Sequence, residues 1–311
     1  MATVQHLNSS TAQLQGVAMS QPVVRIEGVS KRFRRQVALD GVSLEVPSGV
    51  VFALLGENGA GKTTSIRIML GLTEPDAGRA EVLGLDSSTQ GQTIRRRVGY
   101  VAERPTLYEW MTVDEIGWFT GGFYGNGFLP SYRKLAEQFE LPAGRRIREL
   151  SKGMRAKVVL SLAMAHEPEL LILDEPTSGL DTLVRRDFLE SMVDVAATGR
   201  SVFLSSHQIG EVERVADMVA ILREGKLVVV ERLDALKREI CELTVTLQDG
   251  TPRPPSVPGV LLSERQKDRQ WQLLVRGASD EQLAALGSHE SVRELQTRSP
   301  TLEEIFVAYM Q

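Results

Sequence analysis

Val50-Val51-Phe52-Ala53-Leu54-Leu55-Gly56-Glu57-Asn58-Gly59-Ala60-Gly61-Lys62-Thr63-Thr64 is the stretch whose reading decides the fold. Val50 to Leu55 is an apolar β-run that breaks into the glycine-rich segment Gly56 to Gly61. Apolar positions then resume at Ile66, Met69 and Leu70, with the spacing of a helix. A strand, a glycine-rich loop and a helix in this order make a phosphate cradle. Backbone N–H groups point into one concavity, and the helix start adds the positive end of its dipole. The segment matches G-x-x-x-x-G-K-[ST], so Gly56, Glu57, Asn58, Gly59, Ala60, Gly61, Lys62, Thr63 and Thr64 are the expected nucleotide contacts. Lys62 is expected to reach the β- and γ-phosphates, and the Thr63 hydroxyl to ligate Mg2+.

Working outward, Leu170-Leu171-Ile172-Leu173-Asp174-Glu175 is a second apolar strand, and it ends in two carboxylates. Strands of an open α/β sheet deliver their last residues to the edge where ligands bind. Asp174 is expected to hold Mg2+ or its water there, and Glu175 to polarise an attacking water. Ser201 to Leu204 is a further apolar run, and the helix expected over Leu183 to Ala197 completes a βαβ unit. Val23 to Phe33 and Val42 to Val46 read as strands around a polar turn. Residues from about Thr112 to Ala165 carry helical patterns interrupted at Gly121 to Pro130. The fold class expected is α/β: a P-loop NTPase sheet flanked by helices, with a helical subdomain over about 104–166 and a small α+β C-terminal appendage.

Composition narrows the class. The 311 residues are 42% hydrophobic and 24% charged, the balance of a globular chain. A net charge of −4 offers no bulk attraction to nucleic acid, and none is expected as a partner. The single cysteine, Cys241, excludes an intrachain disulfide and fits a reducing compartment. No apolar run approaches the roughly 20 residues that cross a bilayer. Residues 1–22 read as a disordered tail without the pattern of a signal peptide. The expected location is cytoplasmic.

Three further motifs stand in order along the chain. Leu150-Ser151-Lys152-Gly153-Met154 opens a helix ahead of the carboxylate strand. Ser178-Gly179-Leu180-Asp181 follows the carboxylates, and Ser205-Ser206-His207 follows the next strand. With the phosphate loop and Asp174-Glu175, these resemble the motif set of the ABC ATPases over residues from about 23 to 230. Leu150 to Met154 is similar to that family's LSGGQ signature, with Lys152 in place of Gly and Met154 in place of Gln.

The resemblance implies an ATP-hydrolysing motor subunit of a transporter, binding ATP and Mg2+. His207 would contact the γ-phosphate beside the catalytic Glu175. Ser151, Gly153 and Asp181 would serve the ATP of a second subunit, in a homodimer or with a paralogous ATPase. Phe33 would stack on adenine, although it equally well ends a core strand. A separate transmembrane permease is the implied partner, contacted through about Glu103 to Tyr124 at the inner face of the cell membrane, with export the implied direction. Val98-Gly99-Tyr100-Val101-Ala102-Glu103 departs from the family: Glu103 stands where a glutamine is usual, and it remains a candidate metal ligand through a bound water. Two rival readings stay open: a soluble ABC ATPase acting on nucleic acid or ribosomes, and a P-loop kinase.

Residues 240–311 are read as the accessory appendage, following a main unit over 23–235. Strands are expected at Leu243 to Leu247 and Trp271 to Val275, with helices around Asp280 to Leu286 and Thr301 to Tyr309.

Overall fold

A computed structural model describes residues 21–311, apart from residues 250 and 252 and the side chain of Leu183. The expected tail over 1–22 lies almost entirely outside the described residues. Strands β1 (Val24–Phe33) and β2 (Gln36–Val46) pair antiparallel from Val24↔Val46 to Phe33↔Gln36. The second strand is thus longer than Val42 to Val46. The turn shrinks to Arg34 and Arg35, and Arg34 takes a left-handed φ of 53°.

Strand β3 (Val51–Leu55) feeds the glycine loop and helix α1 (Lys62–Met69). Then come β4 (Ala77–Val82), β5 (Leu85–Asp86), α2 (Ser87–Arg97) and β6 (Val98–Val101). The order β2-β1-β4-β5 makes a four-stranded sheet beside the main one.

Three helices form the predicted helical region: α3 (Val113–Gly121), α4 (Phe128–Gln138) and α5 (Lys152–Met164). Thr112 and Glu115 close a capping box at the start of α3. These helices share an apolar cluster of their own, including Ile116, Phe128, Ile147 and Val158. The Tyr132 ring lies fully buried there, its hydroxyl donating to the Val113 carbonyl at 2.7 Å.

Strand β7 (Leu170–Asp174), helix α6 (Thr182–Ala197), strand β8 (Ser201–Ser206) and the single turn α7 (Ile209–Val212) follow. Strands β9 (Met218–Arg223) and β10 (Lys226–Arg232) close the main sheet, whose order is β10-β9-β3-β8-β7-β6. Five of these six run parallel; β10 alone is antiparallel to its neighbour. Alternation along the strands feeds two cores. Ala53, Leu55, Leu171, Leu173, Val202 and Leu204 face one, against α5 and α6. Phe52, Leu54, Leu170, Ile172 and Phe203 face the other, against α1 and the first sheet. Phe52 and Phe203 stack with centroids 5.3 Å apart, which contributes about 0.5–1.5 kcal/mol beyond burial.

Beyond α8 (Leu233–Glu239) lie β11 (Ile240–Leu247), β12 (Val260–Lys267), β13 (Gln270–Arg276), α9 (Asp280–Gly287), β14 (Val292–Arg298) and α10 (Leu302–Met310). The antiparallel order β12-β13-β11-β14 includes two strands absent from the sequence reading. This sheet has its own core around Leu243, Val245, Trp271 and Leu273. Helix α10 instead turns back onto the main body. Leu302, Ile305 and Ala308 share a core with Ile209, Val212, Val219 and Ile221.

Candidate functional site

Strands β3, β8 and β7 are adjacent and parallel, so the three segments that follow them emerge at one edge of the sheet. Residues distant in sequence meet there in a cleft of about 540 Å3. Glu57, Asn58, Gly59, Gly61, Lys62, Thr63 and Thr64 form its floor, and Phe33, Glu103, Glu175 and His207 stand around it. The volume lies within the range of small-molecule sites. Gly56 and Ala60 do not line the cleft. Ala60 is buried, and Gly56 contributes a carbonyl that accepts from Lys62.

The loop needs glycine at the helix start. Gly61 caps α1 with a φ of 113°, a conformation that L side chains rarely adopt. A Cβ on Gly61 would stand 2.4 Å from the Ala38 carbonyl oxygen. The backbone is therefore pressed against β2, with the N–H groups of the first turn of α1 left free of intrahelical partners.

Lys62 is buried, and its ammonium donates to the carbonyls of Gly56 at 2.7 Å and Glu57 at 3.1 Å. It also ion-pairs with Glu175 Oε1 at 3.0 Å. The other Glu175 oxygen, Oε2, lies 2.7 Å from His207 Nδ1 and accepts from the His207 amide at 3.3 Å. Lys62, Glu175 and His207 thus form one connected polar line. Glu175 adopts a left-handed φ of 49°. Such a backbone in a non-glycine residue costs on the order of 1–3 kcal/mol and is retained where the surroundings fix it. Here its amide donates to both the carbonyl and the hydroxyl of Ser205, at 3.2 and 3.1 Å.

Asp174 is 1% exposed, and its Oδ1 accepts from the Ser205 hydroxyl at 2.7 Å and the Thr63 hydroxyl at 3.2 Å. Burial pushes its carboxyl above the usual range; the two hydroxyl bonds pull the other way, and Glu175 and Glu103 add to the rise. A buried carboxylate with only neutral donors is a favourable place for a cation. Thr63 and Asp174 supply the hard oxygens suited to Mg2+, which takes few protein ligands and completes its shell with water and phosphate. Among the described residues, no group of three or more His, Cys, Asp or Glu side chains forms a self-sufficient metal cage.

Phe33 ends β1 half-exposed at 49%, with the Lys31 ammonium 5.5 Å from its ring centroid. Glu103 lies at the cleft wall, and Arg104 is its nearest cationic partner, at 3.9 Å. Ser151, Gly153 and Asp181 do not reach this cleft. Ser151 caps α5, its hydroxyl accepting from the Met154 amide at 3.2 Å. Asp181 caps α6, its carboxylate accepting from the Val184 amide at 3.0 Å. The two helix starts crowd together: a Cβ on Gly153 would stand 2.7 Å from Val184 Cγ1. Ser151 and Asp181 are both exposed. Sequence reasoning missed Gln36 and Ala38 on the cleft wall, quoted Ser178 only as the start of a motif, and missed Ser205 as the residue that holds both carboxylate positions. The Asp174↔Ser205 register is the signal that finds it, and it exists only in the folded sheet.

A sequence profile of the family described as ABC transporter matches residues 39–178. The daunorubicin resistance ATP-binding protein DrrA3 of Streptomyces coeruleorubidus is 31% identical over 303 residues, which is 93% of this chain and 96% of that one. The Nod factor export ATP-binding protein I of Rhizobium sp. (strain N33) is 36% identical over 214 residues, 67% of this chain and 70% of that one. A solved ATP-binding subunit of an ABC transporter is 33% identical and superimposes with a TM-score of 0.63, covering 70% of this chain and 92% of the other. The chain belongs to the ATP-binding proteins of ABC transporters. It is a nucleotide-binding ATPase by class, and the resemblance drawn from its motifs is confirmed.

Proposed function

We propose that this chain is the motor subunit of an exporter, closing with a second ATPase subunit around ATP and driving a separate membrane permease. The observation that carries the reading is the Lys62–Glu175–His207 line at the mouth of the phosphate loop. It joins a phosphate-binding ammonium to a carboxylate that can polarise water. The two relatives named for drug resistance and for export support the direction.

Lys62 holds phosphate oxygens in exchange for its present oxygen partners. That exchange frees Glu175 Oε1 to accept a proton from water. His207 keeps Oε2 occupied, which fixes the carboxylate's orientation and sets its own ring toward the γ-phosphate. Thr63 and Asp174 would hold Mg2+, which supplies charge neutralisation at the phosphates. Glu103, on the cleft wall where the family usually has a glutamine, would accept from a water of the Mg2+ shell. Phe33 offers its half-exposed ring to the adenine.

Ser151, Gly153 and Asp181 serve the partner's site. Ser151 and Asp181 are exposed on two crowded helix starts, which suits a surface that meets a second subunit, while buried Gly153 lets those starts approach. Tyr108, Trp110, Trp118 and Phe123, exposed by 48%, 63%, 68% and 73%, form an aromatic face on the helical region fitted to a permease. Among the described residues, no helix is long and apolar enough to cross a membrane, so translocation is assigned to that partner.

Co-expression with a candidate permease, followed by membrane fractionation and an ATPase assay without added acceptor, tests this reading. Release of phosphate by a membrane-bound complex is expected. A chain that stays off the membrane with its permease present, or that needs an acceptor for turnover, contradicts it.

A further inference from the structure

The segment carrying His207 continues directly into α7 and Glu213, and this turn is fastened on two sides. On one, Arg185 of α6 donates to Glu211 at 2.8 Å and to the Leu180 carbonyl at 2.8 Å. On the other, Glu213 accepts from the Leu302 amide, the first residue of α10, at 3.0 Å and ion-pairs with the Lys237 ammonium of α8. The Glu213 side chain is only 19% exposed. Its carboxylate sits at the positive end of α10, where a negative charge is favoured. Ile209 and Val212 of the turn pack in one core with Leu302 and Ile305.

A four-residue turn has little rigidity of its own, because one hydrogen-bonded turn cannot offset the entropy of ordering it. Its position is therefore set by what grips it. Two of the grips, α8 and α10, come from the end of the chain, beyond every nucleotide motif.

We infer that Glu213 is a positioning residue for ATP hydrolysis, fastening α7 to α8 and α10 so that His207 meets Glu175 Oε2. The C-terminal helix thereby belongs to the turnover machinery while touching no nucleotide. This inference rests on the reading of Glu175 and His207 as the hydrolytic pair.

The test uses the full chain carrying Glu213→Ala or Glu213→Gln, with Glu175→Gln as the reference. Turnover, ATP affinity and the ring nitrogen NMR signals of His207 are measured together. Misplacing a group at a reacting centre costs up to about 100-fold in rate, so Glu213→Ala is expected to lower kcat about 10- to 100-fold. ATP affinity should hold within about twofold, a split that marks an interaction needed for chemistry and not for binding. The His207 signals should shift, and Glu213→Gln, which still accepts from the Leu302 amide, should recover part of the rate.

Parental turnover with unmoved His207 signals overturns the inference. So does a loss of ATP affinity equal to the loss of rate. If Glu175→Gln itself turns over at the parental rate, the reading of the hydrolytic pair fails instead. Should Glu213→Ala not fold, Lys237→Met removes one grip alone. A smaller rate loss with shifted His207 signals supports the inference, and parental values for both overturn it.

Discussion

Glu175 Oε2 receives both the ring and the amide of His207, at 2.7 and 3.3 Å, while Glu175 Oε1 pairs with Lys62 at 3.0 Å. One carboxylate thus joins the ends of two parallel strands to the phosphate loop. Removing any of the three should change turnover by a different route, and the routes are separable.

Lys62→Ala removes a buried ammonium that the loop's own carbonyls orient. A hydrogen bond to a charged group contributes about 1.5–3 kcal/mol, so ATP affinity should fall about 10- to 100-fold. The far-UV circular dichroism should stay parental, since the apolar core is untouched. Parental nucleotide affinity would contradict the assignment of the loop.

Asp174→Asn separates stability from metal binding. Burial disfavours the ionised carboxyl, as its raised pKa records, and an amide oxygen can still accept from Ser205 and Thr63. The variant without nucleotide should melt no lower than the parent. The gain in ATP affinity on adding Mg2+ should disappear, as titration with and without chelator would report. A retained Mg2+ dependence would move the metal site elsewhere.

How much of this was legible in the sequence depends on how local each signal was. The cradle was readable because Val50 to Thr64 carries strand, loop and helix in one continuous stretch. Asp174 and Glu175 were readable because β7 is apolar until its end. Strands β12 and β14 were not, because most of their residues are exposed and show no alternation of apolar and polar positions. The grip of α10 on α7 joins residues 89 apart, Glu213 and Leu302, and no local pattern announces it. Ser151 and Asp181 were legible as motifs, but in the folded chain they cap α5 and α6 and stand outside the cleft.

Glu103→Gln tests the departure from the family pattern. Glu103 adds to the unfavourable negative charge at Asp174. The neutral amide should therefore sustain ATP turnover at or above the parental rate, measured at saturating Mg2+. Complete loss of turnover would assign the carboxylate a specific chemical role.

The start of α10 carries a pH-dependent fastening. Arg298 donates to both Glu304 oxygens, and Glu304 also accepts from the Thr301 amide in a capping box. Chiefly through Arg298, its carboxyl is lowered to about 2 from an ordinary value of 4.5. The folded chain binds this proton more weakly than the unfolded chain does. The stabilisation is therefore complete above pH 4.5 and is lost as pH falls towards 2. Glu304→Gln should melt below the parent at pH 7, and the gap should narrow between pH 4.5 and 3. A gap that stays constant across that window would contradict the pairing.

The central claim is that Glu175 performs chemistry while intact ATP joins two subunits. Glu175→Gln keeps the size of the side chain and its hydrogen-bonding reach to His207 but removes the basic carboxylate. General-base assistance contributes about 10²- to 10⁴-fold, so turnover should collapse while ATP binding persists. Size-exclusion chromatography of this variant with ATP and Mg2+, in the presence of the permease, is the most direct measurement. An ATP-stabilised dimer of ATPase subunits that Ser151→Arg in the same chain dissolves is the expected result. A monomer under those conditions, or parental hydrolysis, would contradict the roles given to Glu175 and to the shared site.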